Sequence, residues 1–170
     1  MIRVAEYKWY PVYTNPRAEK KAYDLLMALG IEVYLPLQKT LKQWSDRKKW
    51  VEEPLIKSYL FVRITTSQIA DVLMTKGISR FIYFSGRMAD MPERQINDLK
   101  LLLASGAEFE CCERSFKKGQ RVEIIAGTLK GLRGEMIEVA SQKRLLIRIG
   151  ETGQSLLVQV PAGHLELINL

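Results

Sequence analysis

Residues 122–136 have the sequence VEIIAGTLKGLRGEM, in which three glycines follow an alternating apolar run. Glycine weakens strands and is usually kept for backbone that needs a positive φ or a close approach. The cluster is therefore typical either of tight turns in a small sheet or of a loop that holds phosphate. A phosphate loop continues with Gly-Lys-Ser or Gly-Lys-Thr and opens a helix, and this stretch does neither. We therefore predict that Gly127, Gly131 and Gly134 are structural.

The surrounding sequence predicts a small all-β barrel. Beyond residue 118 there is no helical period, and short apolar segments alternate with turn residues. This spacing is typical of a barrel of short strands. Residues 105–117 are polar and mixed in charge, which predicts a linker between a domain at 1–104 and the barrel at 118–170. Four residues are expected to point into the barrel: Val122, Ile124, Met136 and Val139.

Residues 1–104 predict a second domain of mixed structure. Strand-like segments at 7–14, 57–64 and 78–86, the last of which ends in a turn, alternate with helix-like segments at 14–30, 66–77 and 91–105. Such alternation favours an α+β fold in which helices cover one sheet. Segment 57–64 is apolar at both parities, so we expect helices on one of its faces and a partner on the other. The basic segment 42–50 is expected to be a loop.

The composition and charge of the chain limit the classes of function that fit it. The 170 residues carry a formal net charge of +7, and residues 1–104 hold 17 Lys and Arg against 11 Asp and Glu. A basic N-terminal part favours nucleic acid as a partner. The sequence has no apolar run of about 20 residues and no signal peptide, which favours a cytoplasmic protein.

The sequence offers no set of residues for catalysis or metal binding. The adjacent Cys111 and Cys112 are expected to be reduced thiols, because adjacent cysteines rarely bond each other and no further cysteine is available. The single histidine, His164, is remote in sequence from both cysteines. We therefore expect no metal, no cofactor and no enzymatic activity.

The glycine-rich stretch resembles the KOW motif, with Leu129 and Leu132 between its glycines. KOW domains occur in ribosomal proteins and in NusG-type elongation factors. The first part of the chain is similar in order and spacing to the NusG N-terminal (NGN) domain, on the segments WYPVYT, EEPLIKSYLFVRI and KGISRFIYFSG. The resemblance extends from about residue 6 to residue 168. It implies an antiparallel NGN sheet covered by helices, linked to an SH3-like KOW barrel.

The resemblance also implies partners. In this family the NGN domain binds the clamp helices of RNA polymerase and touches upstream or non-template DNA. The KOW domain recruits a further factor, such as Rho or a ribosomal protein. General family members usually have Phe-Pro-Gly-Tyr where this chain has Ile56-Lys57-Ser58-Tyr59. In this departure, and in its short N-terminus, the chain is more similar to specialised paralogues such as RfaH and the UpxY-type antiterminators.

We therefore expect a monomeric, operon-specific elongation regulator that binds RNA polymerase and suppresses pausing or termination, with no membrane partner. A ribosome-associated or RNA-binding KOW protein is the alternative. An exposed apolar face in the N-terminal part favours the first function, and a basic face there favours the second.

The resemblance assigns two sets of candidate residues. The set for polymerase binding is apolar, and core packing is the alternative for each member: Tyr13, Ile56, Tyr59, Phe81, Phe84 and Ile96. The set for nucleic-acid binding is polar, and a solvated surface is the alternative: Asn15, Arg17, Lys20, Lys21, Arg47, Lys48, Lys49 and Lys76. Trp44 and Trp50 flank the basic loop, where they either stack on bases or pack across a hairpin.

Overall fold

The computed structural model describes residues 4–168, and the chain divides into two compact units between Glu93 and Arg94. The first unit contains eight strands and two helices among its described residues. In chain order these are β1 (Lys8–Thr14), α1 (Glu19–Ala28), β2 (Glu32–Tyr34), β3 (Leu37–Gln43), β4 (Lys48–Pro54), β5 (Tyr59–Ile64), α2 (Ile69–Leu73), β6 (Ile78–Phe81), β7 (Tyr83–Phe84) and β8 (Arg87–Met88).

Four strands of the first unit form an antiparallel sheet in the order β2-β5-β1-β6. One face of this sheet packs on the helices, through a core that includes Leu26 of α1, Val72 of α2 and Val62 of β5. Side chains alternate along a strand, so Phe61 points to the opposite face. The expected α+β fold, with helices on one antiparallel sheet, is confirmed.

Helix α1 begins at Glu19, five residues after the start of the predicted segment. Arg17 has a φ of 63°, which is outside the right-handed helical region. The preceding residues instead form a turn, in which the Ala18 N–H donates to the Asn15 carbonyl oxygen at 3.1 Å. Gly30 follows the helix with a φ of 76°, as expected for a residue that ends a helix.

Two ribbons of two strands lie outside the four-stranded sheet, and both differ from the sequence prediction. Segment 42–50 is not a loop, because most of it pairs in the β3–β4 hairpin, which is closed by a hydrogen bond of 2.8 Å from the Trp44 N–H to the Arg47 carbonyl oxygen. Segment 78–86 is not one strand. Ser85 and Gly86 have φ values of 51° and 76°, and this turn folds β7 back onto β8.

The second unit contains helix α3 (Glu93–Ala104), which begins at the division, and an antiparallel sheet of six strands in the order β14-β10-β11-β12-β13-β9. Of the four residues expected to point inward, Val122 and Ile124 are buried, and Met136 and Val139 are half-buried. This is the expected C-terminal β domain. Its strands are β9 (Phe109–Cys112), β10 (Gln120–Ile124), β11 (Arg133–Val139), β12 (Gln142–Ile149), β13 (Gln154–Val158) and β14 (Leu165–Leu167).

Strand β9 lies within the stretch that the sequence predicted to be an irregular linker. It pairs with β13, placing Cys111 opposite Leu156 and Cys112 opposite Ser155. A pairing between residues more than 40 positions apart leaves no trace in local composition, and the alternation of β9 is only four residues long.

The three glycines of the opening stretch differ in their geometry. Gly127 and Gly131 have φ values of 83° and 95°, in the region that side chains other than glycine rarely adopt. Gly134 has no positive φ, but a Cβ atom on it would lie 2.5 Å from the carbonyl oxygen of Leu146 on the neighbouring strand. Two glycines are thus required by turns and one by close strand approach.

Candidate partner-binding and nucleic-acid-binding surfaces

The sheet face opposite the helices carries a row of aromatic side chains. Tyr13 of β1 pairs with Tyr59 of β5, and their ring centroids are 4.6 Å apart. Tyr34 of β2 pairs with Phe61 of β5, and these rings stack with centroids 6.4 Å apart. We call these four residues the aromatic face. The Arg80 guanidinium lies 5.2 Å from the centre of the Tyr13 ring and adds a positive charge at the edge of this face.

The aromatic face is largely closed to solvent in the structure. Tyr59 is 4% exposed and Phe61 is fully buried, while Tyr13 and Tyr34 are half-buried. Burial raises the pKa of Tyr34 to about 12. Strand β5 is therefore buried on both faces within the chain itself, whereas the sequence analysis expected a partner to cover the second face. Of the two aromatic-face residues assigned to polymerase binding, Tyr13 and Tyr59, Tyr13 presents the larger accessible surface.

Three other residues assigned to polymerase binding are buried: Ile56, Phe81 and Ile96. For Phe81 the reason is its register. It pairs with Val12, and cross-strand partners share a face, so both side chains enter the core beneath the helices. There the Phe81 ring makes an edge-to-face contact with Tyr10, with centroids 6.1 Å apart. Phe81 therefore offers no surface to a partner.

Phe84 is exposed, and the structure adds a neighbour that the sequence assignment omitted. Phe84 and Tyr83 form strand β7, and they are 58% and 60% exposed. They pair with Arg87 and Met88 of β8. We call this short ribbon, with two mainly exposed aromatic residues next to each other in sequence, the aromatic ribbon. The Ser85-Gly86 turn was the sequence signal for this ribbon.

Two of the nucleic-acid candidates, Asn15 and Arg17, lie just before α1, and a backbone hydrogen bond holds this segment beside the turn of a third, Lys76. The Asn15 N–H donates to the carbonyl oxygen of Gly77 at 2.8 Å, which places Asn15 and Arg17 beside the turn that carries Lys76. We call Asn15, Arg17, Lys57 and Lys76 the turn cluster. All four side chains are exposed.

Lys57 joins the turn cluster through the segment that departs from Phe-Pro-Gly-Tyr. The Thr14 N–H donates to the carbonyl oxygen of Ser58 at 2.9 Å, which holds this segment beside the start of α1. Ser58 has a φ of 63°, so it occupies a conformation that suits the usual glycine. Its N–H donates to Oε1 of Glu19 at 2.8 Å, and Glu19 is a buried residue in the first turn of α1.

The remaining candidates occupy two further places. Lys20 is engaged within the unit, because its Nζ donates to the carbonyl oxygen of Glu52 at 2.5 Å. Lys21 is exposed on α1. Arg47, Lys48 and Lys49 lie at the exposed end of the β3–β4 hairpin, away in sequence from the turn cluster. The structure thus divides the expected nucleic-acid set between α1 with the turn cluster and the hairpin.

The titratable groups of the second unit have structural roles. Arg148 pairs with Glu135, with 2.6 Å between Nε and Oε2, and its Nη2 donates to the Phe116 carbonyl oxygen at 3.0 Å. Burial raises the pKa of Glu135, but hydrogen bonds from Arg148 and from the Gly119 N–H outweigh this effect, so that the pKa lies below its ordinary value. Burial raises the pKa of Cys111 to about 11, which keeps that thiol protonated at neutral pH.

Among residues 4–168 there is no group of three or more His, Cys, Asp or Glu side chains arranged to hold a metal ion. No helix in the same range combines the length and the apolar character needed to cross a membrane.

Comparison with models of known protein families identifies the family of this chain. The family model described as "NusG: Transcription termination factor nusG" matches residues 7–100, more than half of the sequence. The chain belongs to the NusG family. The match includes the aromatic face, the turn cluster, the aromatic ribbon and the start of α3. The chain is accordingly a member of a transcription factor family.

Several solved structures are similar to this NusG-family chain. One of them, titled "Domain interaction in Thermotoga maritima NusG", has 22% sequence identity and a TM-score of 0.54, and the match covers 96% of this chain and 98% of that one. The MjSpt4:Spt5 complex in its conformation A has 17% identity and a TM-score of 0.32, with 94% and 97% covered. Comparison with curated proteins finds no match.

Proposed function

We propose that this NusG-family protein binds RNA polymerase during elongation and suppresses pausing or termination at particular operons. The aromatic ribbon carries this proposal. Tyr83 and Phe84 are about three-fifths exposed in a unit that has its own packed core, so their exposure is not a consequence of poor packing. Aromatic side chains of this kind are the usual energetic centre of protein interfaces.

The turn cluster supports a second contact, with upstream or non-template DNA. It combines the amide side chain of Asn15 with the charges of Arg17, Lys57 and Lys76 on backbone that is held by hydrogen bonds. Contacts of Lys and Arg to phosphate position a protein on nucleic acid without reading its sequence. In this proposal the turn cluster orients the protein on DNA while the aromatic ribbon holds the polymerase.

The departure from Phe-Pro-Gly-Tyr supports a specialised paralogue. Lys57 and Ser58 stand where family members usually have Pro and Gly, and Ser58 has a φ of 63°, a conformation that suits glycine. The local surface is therefore basic and polar in the turn cluster. Such a surface is expected where family members recognise different DNA elements.

We also propose the division of labour between domains. Residues 1–104 are the polymerase-binding domain, because the family match reaches residue 100 and so includes most of α3. Residues 118–170 are the KOW domain, which recruits a second factor such as Rho or a ribosomal protein.

Affinity capture and transcription with purified polymerase test the proposal. The protein should retain RNA polymerase and should raise readthrough of a terminator on its own operon's template. Phe84→Ala should weaken the affinity for polymerase about thirtyfold, equal to the cost of about 2 kcal/mol for truncating an aromatic hot spot, and should lower readthrough as a consequence. Leu29→Ala, which removes an apolar side chain that is 59% exposed just after α1, is the matched control. Retention of ribosomes in place of polymerase would instead support the alternative KOW function.

A further inference from the structure

The β3–β4 hairpin exposes an indole ring that its own fold does not use. The hairpin is a ribbon of two strands, and all residues from 41 to 50 are exposed. Trp50 is 64% exposed. It pairs with Leu41, itself exposed, so cross-strand packing covers only a minor part of the ring. The alternative role for Trp50, to steady the hairpin, therefore accounts for little of its surface.

The ring of Trp44, the other indole of the hairpin, is already in contact with a charged side chain of the hairpin. The guanidinium of Arg47 lies 5.6 Å from the centre of its ring, and Trp44 is 43% exposed. A cation over a ring takes the place that a base would need. Trp50 has no such cover among the described residues, which makes it the better stacking surface.

The pairing register places lysines around Trp50 on one face of the ribbon. Residues that alternate along a strand share a face, so Lys48 lies on the same face as Trp50, two positions away. Lys39 pairs with Glu52, two positions away on the other side, and belongs to the same face. Neither lysine forms a salt bridge within residues 4–168. We call the face with Lys39, Leu41, Lys48 and Trp50 the indole face.

The opposite face of the ribbon is different in its electrostatics. Lys42 there forms an ion pair with Glu53, and the Thr40 hydroxyl donates to the same carboxylate at 3.3 Å. The hydrogen bond from Lys42 lowers the pKa of Glu53. Lys42 on that face is thus compensated within the ribbon, although Lys49 is not, whereas neither lysine of the indole face forms a salt bridge among the described residues.

A depression in the surface lies beside the Trp50 ring. It has a volume of about 450 Å³ and is lined by Lys39, Trp50, Val51 and Glu52. Glu52 pairs with Lys39 across the strands and also lines this depression, so Lys48 offers a phosphate the stronger contact of the two lysines. Between residues 39 and 50 the hairpin holds five Lys and Arg and one Asp.

We propose that the indole face is a binding site for single-stranded DNA, in which an unpaired base stacks on Trp50 and neighbouring phosphates contact Lys39 and Lys48. A ring of this size recognises the flat face of a base, and that face is accessible only when the base is unstacked. The inference deepens the proposed function, on which it rests: an elongation factor that touches non-template DNA meets that strand unpaired. Two lysines without internal partners supply the charge complementarity.

Binding of a fluorescent oligothymidylate to the purified protein, with no polymerase present, tests the proposal. Trp50→Ala should weaken binding about tenfold or more, in keeping with the cost of removing one stacking ring. Trp50→Phe should restore most of the loss, because a smaller ring still stacks. The melting temperature of both variants should equal that of the parent, since the ring is mainly in solvent. Equal affinity of Trp50→Ala and the parent would overturn the proposal.

Substitutions of two adjacent lysines distinguish DNA binding at the indole face from nonspecific electrostatic attraction to DNA. Lys48→Ala and Lys49→Ala remove the same charge at neighbouring positions, but only Lys48 lies on the indole face. Lys48→Ala should weaken binding more and should reduce the salt dependence by about one released ion. Equal effects would overturn the assignment to this face. Tighter binding of duplex DNA or of oligouridylate than of oligothymidylate would overturn the assignment to unpaired DNA.

DNA binding at the indole face and polymerase binding at the aromatic ribbon can be tested separately. Trp50→Ala should retain RNA polymerase at the parent level in affinity capture, while Phe84→Ala should bind the oligonucleotide at the parent level. A loss of polymerase binding with normal oligonucleotide binding therefore counts against the proposed function alone.

Discussion

Phe81 and Phe84 are three residues apart, and the structure predicts opposite consequences for their substitution by alanine. Phe81 is buried in the core beneath the helices and contacts Tyr10, whereas Phe84 lies 58% exposed on the aromatic ribbon. Removing a buried Phe side chain typically costs about 3–5 kcal/mol of unfolding free energy. Exposed positions usually change it by less than about 0.5 kcal/mol.

The two substitutions should therefore change the melting temperature by different amounts. A loss of 1 kcal/mol lowers the melting temperature of a domain of this size by about 4–8 °C, so Phe81→Ala should lower it by about 12 °C or more. Phe84→Ala should melt within a few degrees of the parent. Differential scanning calorimetry of both variants, followed by affinity capture of RNA polymerase at a temperature where both are folded, measures the two effects on the same samples.

A conservative variant keeps the comparison informative if Phe81→Ala fails to fold. Phe81→Leu should cost about 1–1.5 kcal/mol, remain folded and bind polymerase like the parent. A lowered melting temperature for Phe84→Ala would refute the exposed placement of the ribbon. A folded Phe81→Leu that no longer captures polymerase would refute the assignment of Phe81 to the core alone.

Three further outcomes are expected. The pKa of Glu135 is lowered in the folded protein, so its contribution to stability is present above the ordinary value of 4.5 and is lost as pH falls through the folded pKa; Glu135→Gln should flatten the loss of stability measured by denaturation between pH 7 and pH 3. Ser58→Gly should raise the unfolding free energy by about 0.5–1 kcal/mol in urea titrations, because the φ of 63° strains serine but not glycine, and a decrease would contradict this account. The double variant Arg17→Ala, Lys76→Ala should reduce the slope of log affinity against log salt for a bubble template by up to about 2, whereas Lys130→Ala, in the other unit, should leave the slope unchanged.

Periodicity and turn chemistry predicted the elements whose partners are local or whose apolar residues lie on both faces. Strand β5 was predicted to within two residues, because a run that is apolar at both parities must be buried on both sides. Helix α3 was predicted from apolar residues spaced three and four apart. The glycine cluster predicted turns, and two of its members have the positive φ that turns need.

The orientation of site residues depended on pairings that the sequence does not encode locally. The side of the sheet on which Phe81 lies follows from its pairing with Val12, and the register between β1 and β6 shifts between Tyr13 and Thr14. A shift of one residue turns a side chain to the opposite face. No pattern within 78–86 reports that shift. Phe84 had a local signal, the Ser85-Gly86 turn, which separates it from the sheet altogether.

The segment Ile56-Lys57-Ser58-Tyr59 combines a backbone conformation that suits glycine with a basic and polar surface. The Ser58 carbonyl oxygen accepts the Thr14 N–H, and the next residue pairs Tyr59 with Tyr13 on the aromatic face. Serine is a poor residue for a φ of 63°, and its N–H would be costly to bury alone. Glu19 accepts that N–H, so the carboxylate offsets part of the strain. The side chains of Lys57 and Ser58 can therefore vary in chemistry without moving the aromatic face, so that under the proposed function new DNA contacts can arise here at low structural cost.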